Sequence, residues 1–142
     1  MKTVRDTMTK NPRTIPASAS VVEAAQLMRA DHIGSLPITD DQQLIGMITD
    51  RDITIRVVAP GVDHLNIKVG EVSSRDLVTV EPDKDLDEAL LIMALHQVRR
   101  LPVVENGKLV GIVAQADIAL TENDKTGKLV EAISEPSEHE RR

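Results

Sequence analysis

The sequence predicts an α/β fold of the α+β kind, built from tandem βαββα repeats, and three observations carry that prediction. First, the chain is duplicated: shifted by 65 positions, residues 4–53 align with 69–118 without a gap, and 11 of the 50 pairs are identical. Second, each copy holds one stretch with apolar residues at helical spacing behind a capping signal. Third, each copy then holds two short branched-aliphatic runs on either side of four polar residues, the pattern of a hairpin.

The duplication is specific because of what it preserves. The identical pairs include Pro37/Pro102, Gly46/Gly111 and Asp52/Asp117, residue types with distinct backbone or charge roles, together with Met28/Met93 and Leu36/Leu101. With 142 residues in all, each copy is near the size at which a lone core is marginal, so two half-sized units need each other. The boundaries read as 3–58 for the first repeat, 59–67 for a turn-rich linker, 68–121 for the second repeat and 122–142 for a tail that is partly disordered.

Within each copy the elements follow in order. Thr14 and Ile15, or Thr79 and Val80, mark a short leading strand. Ser20 with Glu23, and Asp85 with Glu88, are capping boxes: the first side chain accepts from a free backbone N–H and the Glu reaches back. Behind them Val21, Ala24, Ala25 and Met28, and likewise Leu86, Ala89, Leu90 and Met93, lie on one face of a helix. Residues 36–39 and 101–104 are strands, begun by Pro37 and Pro102, whose missing N–H suits an edge. Asn106-Gly107 is a strong hairpin signal, of which residues 40–43 are a weaker version, and the return strands are 44–48 and 109–113. A final short helix falls near 50–57 and 115–120, and residues 128–133 form one amphipathic turn before a disordered 135–142.

Composition excludes several functions. There is no Cys, so no disulfide framework, thiolate metal site or Cys nucleophile is available. Phe, Tyr and Trp are absent, which removes aromatic stacking platforms for single strands and leaves the core to Ile, Leu, Val, Met and Ala. A net charge of −6 argues against a nucleic-acid surface. No apolar run approaches the roughly 18 residues of a membrane span, and the start lacks an apolar signal core, so a cytoplasmic location is expected. His32, His64, His96 and His139 lack the spacing and acidic flanks of a metal site, and no Walker loop or GxGxxG is present. Nothing in the chain argues for catalysis.

The order and double occurrence of a set of landmarks resemble the CBS domain. They are Met28, then Leu36-Pro37-Ile38, then Gly46, Thr49 and Asp52; and again Met93, then Leu101-Pro102-Val103, then Gly111, Ala114 and Asp117. The resemblance covers residues 3–121 and is similar to the stand-alone bacterial type that includes hypoxic-response proteins. It implies a pair of intertwined βαββα units (a Bateman module) packed pseudo-twofold through their sheets, with ligand clefts between the repeats, and chains that join as homodimers. It also implies a regulatory ligand such as AMP, ADP, ATP, S-adenosylmethionine or NAD, and in some members a cyclic dinucleotide, with no required cofactor. A protein target of unknown identity completes the picture.

The site residues follow from matching positions. Thr49 precedes a helix with Asp52 three residues on, and a carboxylate can accept from both hydroxyls of a ribose. By resemblance Asp52 and Asp117 hold ribose and Thr49 lies beside the sugar-phosphate. The same Thr-x-x-Asp pair is also an ordinary helix cap. In the second copy Ala114 removes the hydroxyl, which puts binding there in doubt. Arg99 and Arg100 stand where the family often meets phosphates and the first copy has Gly34 and Ser35, so charge can compensate; solvated loop charges are the alternative, for these and for Arg51. For the base, the resemblance points to Thr14, Ile15 and Pro16 and to Thr79 and Val80, positions that a plain core role explains equally. A fold that has lost its ligand and acts through a dimer surface is the competing reading.

Overall fold

A computed structural model describes residues 2–126, and residues 128–133, 135–142 and His139 lie outside them. In chain order the elements are α1 (Val4–Thr7), β1 (Thr9–Lys10), α2 (Val21–Asp31), β2 (Ser35–Asp40), β3 (Gln43–Thr49), α3 (Asp50–Ile53), α4 (Val69–Val72), α5 (Leu86–His96), β4 (Arg100–Glu105), β5 (Lys108–Ala114) and α6 (Gln115–Thr126). α3 runs on into a wider turn, Thr54–Val58, closed by the Ala59 N–H donating to the Thr54 carbonyl at 2.8 Å. The helix read near 115–120 continues to Thr126.

The chain divides into two compact units that do not follow the sequence repeats end to end. One is Arg13–Leu77; the other joins residues 2–12 to 78–126. Each unit therefore takes its leading helical turn from the opposite copy of the duplication. In the second unit Val4 of α1 is fully buried among Val80, Leu86, Ala89, Met93, Leu101, Val103, Val113 and Ile118. In the first, Val69 and Val72 of α4 are buried among Ile15, Val21, Ala24, Met28, Leu36, Ile38 and Ile48. Both cores are wholly aliphatic, as the composition requires. Backbone bonds fix the turns in place: Val4 N–H donates to the Lys84 carbonyl at 2.8 Å, and Val69 N–H to the Ala19 carbonyl at 2.8 Å.

Helices α2 and α5 start and stop alike. The Ser20 side chain accepts from the Glu23 N–H at 3.0 Å and the Asp85 side chain from the Glu88 N–H at 2.8 Å, so the first half of each capping box forms, while Glu88 faces Lys84 at 3.7 Å. Both helices end on a residue in left-handed conformation, His32 and Gln97, after which Ile33 and Val98 donate back to the carbonyls of Met28 and Met93. Val21, Ala24 and Met28 are buried, but Ala25, placed on the apolar face by its spacing, is exposed: the face is narrower than the pattern, and Leu27 packs beside it. On the short turns at Thr3 and Lys68 the other half forms, the side chain of the third helical residue reaching back to the cap's N–H. Thr3 N–H donates to Asp6 Oδ2 at 2.8 Å and Lys68 N–H to Glu71 Oε2 at 2.8 Å.

Both hairpins are antiparallel with two-residue loops, Asp40 pairing with Gln43 and Glu105 with Lys108. Asn106 and Gly107 have positive φ, and so do Asp41 and Gln42. The weaker turn signal thus makes the same left-handed turn, with Gln42 at φ 71° where a glycine would sit without strain. The leading strands reduce to single parallel bridges, Ile15 to Ile38 and Val80 to Val103. Those bridges lie on the side of β2 and β4 where Pro37 and Pro102 have no N–H to give, which is the edge character that their prolines predicted.

Candidate functional site

Each unit repeats one arrangement at the end of its hairpin. In the Arg13–Leu77 unit β3 ends at Thr49, opposite Ser35 of β2, and α3 begins at Asp50, whose N–H donates to the Gly34 carbonyl at 2.9 Å. In the other unit β5 ends at Ala114, opposite Arg100 of β4, and Gln115 N–H donates to the Arg99 carbonyl at 2.8 Å. The strand pairing therefore sets Arg99 and Arg100 at the mouth of the second arrangement where the first has a small neutral pair.

The two acids differ in what holds them. Asp52 closes a full capping box: Oδ2 accepts from the Thr49 N–H at 2.9 Å, and the Asp52 N–H donates to Thr49 Oγ1 at 3.0 Å. Its Oδ1 lies 4.0 Å from Nε of Arg56, one helical turn on. Ala114 offers Asp117 no such hydroxyl. Burial instead pushes the Asp117 carboxyl above the usual carboxylate range, against the opposing pull of the Arg100 charge.

The remaining sequence candidates fall into two kinds. Ile15 and Val80 are core residues, 1% and 4% exposed, and their backbones are engaged as well: Ile15 bonds the Pro37 carbonyl and the Thr39 N–H, and Val80 bonds the Pro102 carbonyl and the Val104 N–H. Thr14, Pro16 and Thr79 beside them are exposed, as are Arg51 on α3 and Arg99. Arg100 is half-buried beside Ala114.

The two glycines have a structural reason. A Cβ on Gly111 would stand 2.7 Å from Met8 Sδ and 2.8 Å from the Thr9 carbonyl oxygen, because β1 pairs with β5 across it. A Cβ on Gly46 would stand 3.2 Å from the Ser74 carbonyl oxygen, where Met47 and Ser74 exchange backbone bonds. The close backbone approach that these glycines allow is by the protein's own exchanged segments. Sequence reasoning passed over Arg56, although its i, i+4 spacing from Asp52 was a readable ion-pair signal. Among the described residues no group of three or more His, Asp or Glu is arranged to hold a metal ion, and no helix is long and apolar enough to cross a membrane.

Two βαββα copies, each ending in an acid at the third residue of the closing helix, define a paired-repeat regulatory module. The chain belongs to the CBS-domain family, whose model matches residues 4–59 and again 69–122. It is 40% identical over 141 residues, covering 98% of this chain and all of the relative, to the CBS domain-containing protein YhcV of Bacillus subtilis. It is 42% identical over 120 residues, 84% of each chain, to hypoxic response protein 1 of Mycobacterium tuberculosis. Among solved structures, Hypoxic Response Protein I with two coordinated zinc ions superposes with a TM-score of 0.78 at 42% identity, over 85% of this chain and 99% of that one. The CBS domain pair of protein MJ0100 in complex with 5′-methylthioadenosine and S-adenosyl-L-methionine gives 0.77 at 29% identity, over 88% and 98%.

Proposed function

We propose that the chain is a non-catalytic cytoplasmic regulator that binds an adenosyl ligand, AMP, ADP, ATP, S-adenosylmethionine or NAD, and acts as a homodimer on a protein target. Asp52 and Asp117 take the ribose hydroxyls. Thr49, Arg51, Arg99 and Arg100 face the sugar-phosphate, and the segments of Thr14, Ile15 and Pro16 and of Thr79 and Val80 flank the base. The observation that carries this reading is the acid set at the same point of both units, in a fold whose relative MJ0100 is solved with two adenosyl ligands. A carboxylate has acceptor capacity for about four hydrogen bonds, so one bond from Thr49 leaves Asp52 able to receive a diol.

The test uses the absence of aromatic residues. The protein is nearly transparent in the near ultraviolet, so a co-purified adenine shows as an unmasked band. Calorimetric titration of the full chain with the five ligands should give heat with at least one of them. Asp52→Ala should abolish or weaken that binding while far-ultraviolet circular dichroism stays unchanged. Flat heats throughout, with no adenine band, would instead support a ligand-free interaction protein, the reading favoured by Ala114 and by the existing bond on Asp52 Oδ2.

A further inference from the structure

Arg56 joins two parts of its unit that have no other charged link among the described residues. Its Nε faces Asp52 Oδ1 at 4.0 Å, and its Nη1 donates to the carbonyl oxygens of Val72 at 3.0 Å and Ser73 at 3.5 Å. Those carbonyls end α4, the exchanged helical turn, and are acceptors that a helix terminus leaves over. Ser74 follows, paired with Met47, and the chain passes into the other unit after Leu77.

The duplication repeats the junction with different chemistry. Thr121 is the counterpart of Arg56, 65 residues on; its Oγ1 donates to the Asp117 carbonyl at 3.0 Å and lies 3.2 Å from Thr7 Oγ1. Thr7 ends α1, the counterpart of α4, and the chain passes into the other unit after Pro12. In both units the residue four after the acid therefore ties the closing helix to the exchanged turn, shortly before the chain leaves. One tie is an arginine and the other a pair of hydroxyls.

We propose that Arg56 is a positioning residue that transmits the charge state of Asp52 to residues 72–74, so that a ligand held by Asp52 loosens the segment leading to the other unit. The proposal deepens the binding reading above and rests on it for the identity of the signal. Asp52 holds the guanidinium in place for the Val72 and Ser73 carbonyls. Ligand hydroxyls donating to the carboxylate draw off part of its negative potential, and Arg56, 51% exposed, is then held less firmly.

Amide hydrogen exchange on the full chain, without ligand, decides the coupling. Asp52→Asn and Arg56→Met should each speed exchange at 72–74 by about twofold or more, and the double variant should be no faster than Arg56→Met alone. Thr49→Ala removes the cap hydroxyl but keeps the carboxylate, and should speed 72–74 no more than the rest of the Arg13–Leu77 unit, which shares its loss of cap stability. Should Asp52→Asn fail to fold, salt provides the same test: about 1 M NaCl should bring 72–74 of the wild type to the Arg56→Met rate and should leave 72–74 of Arg56→Met itself unchanged. Unchanged exchange in Asp52→Asn, multiplicative effects in the double variant, or a salt response at 72–74 that persists in Arg56→Met would overturn the proposal. ADP and S-adenosylmethionine form the second arm. Binding without faster exchange at 72–74 refutes the coupling; flat heats with these two and with AMP, ATP and NAD, together with a non-additive Asp52–Arg56 cycle, refute the binding reading and leave the coupling standing.

Discussion

Asp52 and Asp117 occupy the same place in two copies of one fold, yet the protein around them treats them in opposite ways. Asp52 is part of its helix's cap, bonded twice with Thr49 and faced by Arg56. Asp117 follows an alanine, is partly withdrawn from water, and has only the Arg100 charge drawing its carboxyl back toward ionisation. The contrast separates two roles that one short motif can carry. Where the hydroxyl is present the acid caps its own helix; where it is absent, the acid has no hydroxyl to pair with at the cap and burial disfavours its charged form.

The largest expected effect sharpens the comparison at the glycines. Gly111→Ala should destabilise the protein by about 1–3 kcal/mol, since its new methyl meets the backbone oxygen of Thr9 and the Met8 sulfur inside 3 Å. Gly46→Ala, facing Ser74 at 3.2 Å, should cost less than about 1 kcal/mol. Urea unfolding followed by circular dichroism measures both, there being no aromatic fluorescence to follow. Equal costs would mean that the two exchanged segments press on their strands alike.

Next in size is the cap itself. Thr49→Ala should cost about 1 kcal/mol by removing the acceptor of the Asp52 N–H, whereas Ala114→Thr should gain about 0.5 kcal/mol by supplying the missing one. The same unfolding experiment reads both, and a loss of stability on Ala114→Thr would show that the second copy has no room for the hydroxyl.

The smallest effect is a pH dependence. Asp117 has a folded pKa above its unfolded one, so its favourable contribution is complete below the unfolded pKa and is lost as pH rises through the folded value. Asp117→Asn should therefore melt slightly higher than wild type at neutral pH, with the difference vanishing below the ordinary Asp range of about 4. Asp6 and Asp31 run the other way. The Thr3 backbone N–H and the Arg13 guanidinium hold their carboxyls below the usual range, so their stabilisation is present at neutral pH and is lost as acid protonates them. Thermal melts at pH 7 and pH 3.5 compare the three, and a higher melting point for Asp117→Asn at the acid end would contradict the assignment.

Much of this was readable in one dimension because its causes are local. Helical spacing around Val21 and Met28, caps at Ser20 and Asp85, and the Asn106-Gly107 turn act within a few residues, and the 65-residue repeat doubled each signal. The duplication also brought out Ala114 as the place where the copies part. The sequence alone thus determined the elements, their order, the pair of acids and the family to which they point.

Tertiary structure decided the rest, because the contacts concerned join residues far apart in the chain and leave no periodic trace in it. Val4 reads as part of the first repeat but is buried in the core of Leu101 and Val113; Val69 reads as part of the second but is buried with Leu36 and Ile48. That exchange is why Gly46 and Gly111 must be bare, and why Arg56 and Thr121 meet the ends of α4 and α1. It also fixed Ile15 and Val80 as core residues, since burial depends on what the rest of the chain brings over a side chain.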